Sequence, residues 1–314
     1  MSLLGTLTLI FASASVMLFA MHYFNHPAIP GYILAGLVIA PFVEGTELLT
    51  LAQVGILFLV FIFGLKFDPG EIVSVARSTT LATVLQLLIT GSIGYAVAAQ
   101  LGLSSFEGLV LALACSLSST LIGLELAEQE IHRDLLHGRL AESMHLIQDV
   151  LGLVLLAVLF ADGPTSAVTA GVISVGFIVA ALAVRQYVFT AVGRSISYNA
   201  EVLMLLGFST LLVSVYAASC FGLPGVIGAF AAGIAGAKFP YNMELLDSFG
   251  SIKDFFAAIF FVTLGALVGV PTVTTAVIGV VVFLITTVVK PYITAELFQH
   301  FGYTDRASTL TGLS

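Results

Sequence analysis

The sequence predicts an all-α, polytopic membrane protein, and three observations carry that reading. Of its 314 residues 59% are hydrophobic and only 9% are charged, where a soluble domain carries roughly 25% charge. The apolar residues gather into runs long enough to cross a bilayer. The basic residues fall in alternate connections between those runs. With a mean hydropathy of +1.12, the chain cannot cover itself with the polar exterior that a soluble monomer needs. Soluble enzymes and disordered tails are thereby excluded. Ten Lys and Arg are too few to build a phosphate-neutralising face, so nucleic acid is excluded as a partner. Cys115 and Cys220 both lie in apolar runs, which gives neither a disulfide framework nor a CxxC motif.

Eleven apolar runs occur at about 2–24, 29–43, 48–67, 78–101, 106–127, 140–161, 165–192, 200–221, 223–239, 249–268 and 271–298. A lipid-spanning chain must satisfy its backbone internally, and the alternating polarity of a membrane β-barrel is absent, so each run is predicted to be helical. The first run has no basic segment before it and exceeds the length of a signal-peptide core. The number of runs fits the length, at about 20 apolar residues per span plus short connections.

Orientation follows from the positive charges. Lys66 and Arg77 lie between runs 3 and 4, and Arg133 and Arg139 between runs 5 and 6. Arg185 and Arg194 lie near the connection from run 7 to run 8, Lys238 and Lys253 around that from run 9 to run 10, and Arg306 follows run 11. Nine of the ten basic residues thus share one side, which is the cytoplasm, and the N-terminus is expected outside. The tenth, Lys290, lies within a span.

Two segments look alike. Ile29-Pro30-Gly31 and Leu223-Pro224-Gly225 each open a short apolar run, and each is followed by a Phe-rich run with a late glycine, Gly64 or Gly265. Two ordinary Pro-Gly helix starts would suffice to explain the likeness. The stronger expectation is an internal repeat: about 1–161, a linking helix at about 165–192, and a second repeat at about 200–314, within one transmembrane transport domain spanning 1–314. Runs 2 and 9 are then counterparts at an odd offset, so the repeats are inverted in the membrane, an arrangement of transporters with a site where helices break near the midplane.

Charge inside a span is costly and marks a functional candidate. Run 6 carries Glu142, His145, Gln148 and Asp149; run 5 carries Ser116, Ser118, Ser119 and Thr120; run 11 carries Lys290-Pro291. At a rise of about 1.5 Å per residue, Asp149 lies roughly 14 Å in from the cytoplasmic end of its run, and Ser119 and Lys290 each roughly 12 Å. In a hydrocarbon core about 30 Å thick, all three clusters share one level near the middle. Plainer explanations exist for each: small residues for close packing, a lysine that snorkels, a satisfied interior histidine, a structural carboxylate. The functional expectation is chemical. A cation crossing lipid exchanges water for oxygen ligands, and a carboxylate, hydroxyls and freed carbonyls supply them. A carboxylate out of water can be neutralised by a proton or a cation but not readily by both, so Asp149 alone would couple two fluxes. Gln148 can ligate or orient but cannot carry a proton.

The segments Gly31-Tyr32-Ile33-Leu34-Ala35-Gly36 before Pro41, Val54-Gly55 to Gly64-Leu65-Lys66-Phe67-Asp68, Ser118-Ser119-Thr120, Gln148-Asp149, and Phe255-Phe256 through Phe260-Phe261-Val262-Thr263-Leu264-Gly265 together resemble the monovalent cation:proton antiporter superfamily, nearest its Kef-type potassium efflux branch. The resemblance implies an inverted-repeat sodium/proton-antiporter-like fold with broken helices. It implies that Asp149 binds proton and cation competitively in an alternating-access cycle, with Gln148 beside it. Ser118, Ser119 and Thr120 would lie at the unwound crossover of a broken helix, with Lys290 and His145 as supporting charges. No cofactor is implied; potassium or sodium and protons are the substrates, and the metal is a monovalent cation at Asp149. Beyond the lipid bilayer, the implied partner is a second copy in a homodimer in the cell membrane. Runs 3–6 and 10 onward would form a moving core and runs 1, 2 and 7–9 a scaffold. Sodium-selective electrogenic relatives carry two adjacent carboxylates where this chain has one, which favours potassium or one-for-one exchange. Such proteins continue past Ser314 into a second broken helix and a final span, and in the Kef branch often a cytoplasmic regulatory domain, so a C-terminally truncated chain is expected. The rival functions are a gated potassium channel, against which stands the lack of a TVGYG-like filter, a sodium-coupled organic-anion symporter, and a membrane scaffold.

Overall fold

The computed structural model describes residues 3–43, 45–67, 77–117, 136–161, 164–193, 200–237, 241–268 and 271–313. All eleven apolar runs emerge as helices: α1 (Leu3–Tyr23), α2 (Ala28–Ile39), α3 (Gly45–Lys66), α4 (Arg77–Gln100), α5 (Ser105–Ser116), α6 (Leu136–Leu159), α7 (Pro164–Gly193), α8 (Ala200–Cys220), α9 (Gly225–Gly236), α10 (Tyr241–Val268) and α11 (Val273–His300). A short α12 (Asp305–Leu313) follows, and no strand occurs among the described residues. Eight of these helices are long and apolar enough to cross a membrane; α2, α5 and α9 are shorter apolar helices.

Local chemistry sets the ends. Ser104 caps α5 with a reciprocal capping box to Glu107, which satisfies two otherwise orphaned N–H groups. Three helices stop in the same way: Gly102, Gly222 and Gly302 adopt positive φ of 75°, 70° and 91°, and the next residue's N–H returns to the carbonyl five residues back, as in Leu103 to Ala98. Only a residue without Cβ takes that turn cheaply. Pro224 sits at the N-cap of α9, whereas α2 begins at Ala28, with Pro30 inside its first turn, where a missing N–H costs nothing. The fifth run was expected to be helical to about residue 127. The helix instead ends at Ser116, and Leu117 is extended with φ −82° and ψ 152°.

The chain divides into two compact units. The first comprises Met1–Phe67 and Ala161–Pro271, hence α1–α3 and α7–α10. One of its cores gathers Phe58, Phe61 and Leu65 of α3, Leu203 and Leu211 of α8, Ala232 of α9 and Phe249 of α10. Phe58 stacks on Phe256 with ring centroids 4.0 Å apart, and Phe61 meets Phe249 edge-on at 5.4 Å. The two segments with Pro-Gly openings make matching crossings here. A Cβ on Gly36 of α2 would meet Ala266 N of α10 at 2.7 Å, and one on Gly64 of α3 would meet the Phe230 carbonyl of α9 at 2.5 Å. These backbone-to-backbone approaches hold α3 and α10 in the first unit, whereas runs 3 and 10 were expected in the moving core with runs 4–6. Side chains cannot be added there without separating helices. Gly36→Ala should lower the melting temperature, at an overpacking cost of about 1–3 kcal/mol. Gly176→Ala on α7, where a Cβ meets nothing within 4 Å, should not. Equal thermal unfolding of the two variants in detergent would contradict this reading.

The second unit comprises Asp68–Phe160 and Thr272–Ser314, hence α4–α6, α11 and α12. Gly94 of α4 lies against Cys115 of α5, with 3.1 Å between its would-be Cβ and Cys115 Cβ, which seats α5 close on α4. Helix α11 widens into a π turn at Ile285–Val289 before Lys290-Pro291. A proline ring would clash with the carbonyl four residues earlier in a regular helix, and the wider turn takes up that clash. Phe298 of α11 is fully buried with Ala82 of α4 and Leu140 and Met144 of α6.

Candidate functional site

The second unit brings together the polar residues of runs 6 and 11 and, from run 5, Ser116. On α6, His145 and Gln148 are 4% and 1% exposed, and Asp149 is half-buried beside them. Their spacing puts His145 one turn before Gln148 and Asp149 on a shared face. On α11, Lys290 is 4% exposed, and its Nζ donates to the Ser116 carbonyl at 2.7 Å. It therefore does not snorkel to a membrane surface. Asp149, His145 and Cys115 all lie within electrostatic reach of the Lys290 ammonium. Ser116 is the last residue of α5. A helix end leaves its final carbonyls without intrahelical partners, so the lysine answers an acceptor that the end of α5 creates.

Helix α5 ends at Ser116, with Leu117 extended. Ser118, Ser119 and Thr120 lie outside the described residues, so their place in the site is not drawn.

One participant was not singled out from the sequence. Gln86 of α4 is fully buried. Its Nε2 donates to Thr90 Oγ1 at 2.9 Å and to the Ser116 carbonyl at 3.3 Å, and its Oε1 accepts from Gln148 Nε2 at 2.6 Å. The signal was present: Thr79, Thr83, Gln86 and Thr90 recur at helical spacing along one side of α4, and all four are fully buried. Such a polar stripe in an apolar run marks a face that meets polar partners. Thr79 and Ser78 also reach the Tyr303 hydroxyl, at 3.1 and 3.2 Å.

Two buried atoms of the site, Gln148 Oε1 and His145 Nε2, have no hydrogen-bond partner among the described residues. Buried polar groups are nearly always paired, so these two are exceptions. No cluster of three His, Cys, Asp or Glu suited to a multivalent metal occurs among the described residues. The donor set is one carboxylate with neutral oxygens, which suits a cation of low charge.

The sequence model for the transmembrane sodium/hydrogen exchanger family matches residues 8–314. The chain belongs to this family. It is thus a multi-pass membrane protein of the cation:proton antiporter superfamily. Among relatives of this exchanger-family chain, K(+) efflux antiporter 6 of Arabidopsis thaliana is 26% identical over 99% of this chain and 55% of its own length. K(+) efflux antiporter 4 of the same plant is 28% identical over 99% and 56%. The putative cation/proton antiporter YbaL of Escherichia coli K12 is 29% identical over 76% and 46%. The chain spans about half the length of the curated relatives it matches. The fold is that of the sodium proton antiporter MjNhaP1 from Methanocaldococcus jannaschii at pH 8, with a TM-score of 0.72 over 99% of this chain and 84% of that one, at 15% identity.

Proposed function

We propose that this chain forms the transport unit of a monovalent cation:proton antiporter in which Asp149 binds a proton or a cation in turn. The observation that carries the proposal is a convergence within one compact unit. Gln148-Asp149 of α6, the carbonyl end of the broken α5 and the buried Lys290 of α11 lie on one connected set of contacts. A cation shed of water needs negative charge and several oxygens; Asp149 supplies the charge, Gln148 Oε1 and the broken end of α5 supply oxygens, and Lys290 balances the carboxylate when the site is empty. Because a proton neutralises the same carboxylate, each species displaces the other, and alternating access turns displacement into exchange. Gln148 adds no second charge, so one cation exchanges for one proton. Potassium is the favoured substrate, in keeping with the names of the plant relatives; sodium is the alternative. The remaining parts of the proposal are a homodimer in the cell membrane, with the N-terminus outside. A channel would pass current without obligatory proton movement. The test is dequenching of a pH-sensitive dye in everted vesicles on adding potassium or sodium chloride: antiport gives a saturable proton flux, and a chain that gives none under either salt is not an antiporter.

Orientation has its own check. Single cysteines placed at Glu107 and Arg133 should label from opposite faces of the membrane, since they flank the fifth run and only the second lies with the basic connections. Labelling of both from outside would overturn the proposed topology.

A further inference from the structure

We infer, on the antiport reading above, that Gln86 is a positioning residue that sets which end of the Gln148 amide meets the cation, and through it the cation preference of the site. The two ends of an amide are nearly alike in shape and opposite in hydrogen bonding. Their direction is fixed by what surrounds them, and here the surroundings leave one solution. The Ser116 carbonyl can only accept. The Thr90 hydroxyl spends its hydrogen on the backbone carbonyl of Gln86, at 2.7 Å, so toward the Gln86 side chain, 2.9 Å away, it also accepts. Two acceptors therefore face one end of the Gln86 amide, and that end is the NH2. The other end, Oε1, faces Gln148 at 2.6 Å, and only an NH2 can donate to it. Gln148 must then turn its own Oε1 the other way. That oxygen is the buried atom without a hydrogen-bond partner, on the residue next to Asp149. The chain of contacts thus leaves a carbonyl oxygen with free lone pairs on the residue before Asp149, open to a cation that the carboxylate draws in. Were the Gln148 amide reversed, an NH2 with positive hydrogens would face the site and oppose a cation.

The direction also ties the site to the broken helix. Ser116 O receives both Lys290 at 2.7 Å and Gln86 at 3.3 Å, which accounts for both of its lone pairs. Gln86 therefore reads the position of the α5 end and relays it to Gln148. A hydrophobic side chain of equal length would fill the same space and lose that relay.

The test compares Gln86→Met, Gln86→Glu, Gln148→Met and the double variant Gln86→Met/Gln148→Met, purified in detergent and in proteoliposomes. Apparent KM and maximal rate for potassium and for sodium are measured, with thermal stabilisation by each chloride salt over choline chloride as a reading of binding without transport. Methionine keeps the length, cannot donate and accepts only weakly. Gln86→Met should raise KM about tenfold with a much smaller change in maximal rate and bring the potassium-to-sodium preference toward unity. A protonated glutamate keeps both an acceptor toward Gln148 and a donor toward the Ser116 carbonyl, so Gln86→Glu should retain the wild-type preference at the low end of the pH range. Residues acting as one unit are not additive; the double variant should be no worse than Gln148→Met alone. Wild-type KM and preference in folded Gln86→Met, equal loss in Gln86→Glu and Gln86→Met at that low pH, or simple addition of the two single effects would each overturn the relay. Should Gln86→Met not fold, wild-type preference in Gln148→Met overturns it equally. Failure of the antiport reading looks different: the wild type itself would show no cation-driven proton flux, and salt stabilisation that still depends on Gln86 would then keep the relay for a site that binds without exchanging.

Discussion

Asp149→Asn is expected to reduce cation-driven proton flux in proteoliposomes to the level of protein-free vesicles while leaving the protein folded. Asparagine keeps the size and one oxygen of the aspartate and removes both its negative charge and its titration. The carboxylate is half-buried on α6, within electrostatic reach of Lys290, so a neutral isostere should be accommodated without a gap. The loss should fall on coupling. In the wild type, a proton and a cation compete for one group, so apparent cation affinity should fall about tenfold for each pH unit below the pKa of that group. The Asn variant should show no such slope in any cation-dependent stabilisation that survives. Asp149→Glu, which restores the charge on a longer stem, should recover part of the flux with a displaced pH optimum. Robust exchange by the Asn variant would place the carrier elsewhere, with Glu142 and His145 of the same helix next in line.

The helices were legible because lipid imposes a simple rule: a span must be apolar and must satisfy its own backbone. Run boundaries and helix boundaries agree within a few residues from α1 to α4 and from α6 to α9. Helix α10 starts earlier than its apolar run, because Asn242, Glu244, Asp247 and Ser248 lower the hydropathy at 241–248 although the helix already runs there. Asp149 and Lys290 stood out for the complementary reason: charge within an apolar run is costly, and the structure buries Lys290 against the end of α5 with Asp149 in electrostatic reach. Gln86 did not, although it joins the clusters physically. An uncharged amide in an otherwise apolar run raises little alarm, and its meaning lies in partners 30 and 62 residues away. The end of α5 at Ser116 was legible only in part: the hydroxyls of Ser116, Ser118, Ser119 and Thr120 interrupt the apolar run there, but hydropathy carries the run on to about residue 127 and does not fix where the helix stops. At that end the Ser116 carbonyl accepts from Gln86 and Lys290, and spacing within one run carries no trace of such contacts. The grouping of α3 and α10 with the first unit rests on glycine crossings between helices far apart in the chain, which their own runs do not reveal.

Replacing Lys290 should separate two effects that the wild type combines. Lys290 Nζ gives the Ser116 carbonyl its short hydrogen bond of 2.7 Å, where Gln86 offers only a longer one of 3.3 Å. Its charge also acts on Asp149. In Lys290→Met both are lost from a site that stays filled. A buried acceptor left short of a donor costs about 1–3 kcal/mol, so the melting temperature should fall, and the pH dependence of exchange should move because the carboxylate no longer has a cation beside it. Lys290→Gln separates the terms: its NH2 can still approach the Ser116 carbonyl, but it carries no charge. It should recover most of the lost thermal stability and none of the wild-type pH profile. Lys290→Arg keeps the charge on a head too broad for the same seat, so it should keep the profile better than the stability. Melting curves and proton-flux profiles from about pH 5.5 to 9, a window on either side of neutrality where a coupled carrier must work, would read both for each variant. If Lys290→Met matches the wild type in melting temperature and in pH profile, the lysine neither holds the end of α5 nor balances Asp149. If Lys290→Gln restores the profile together with the stability, the hydrogen bond alone matters and the charge does not.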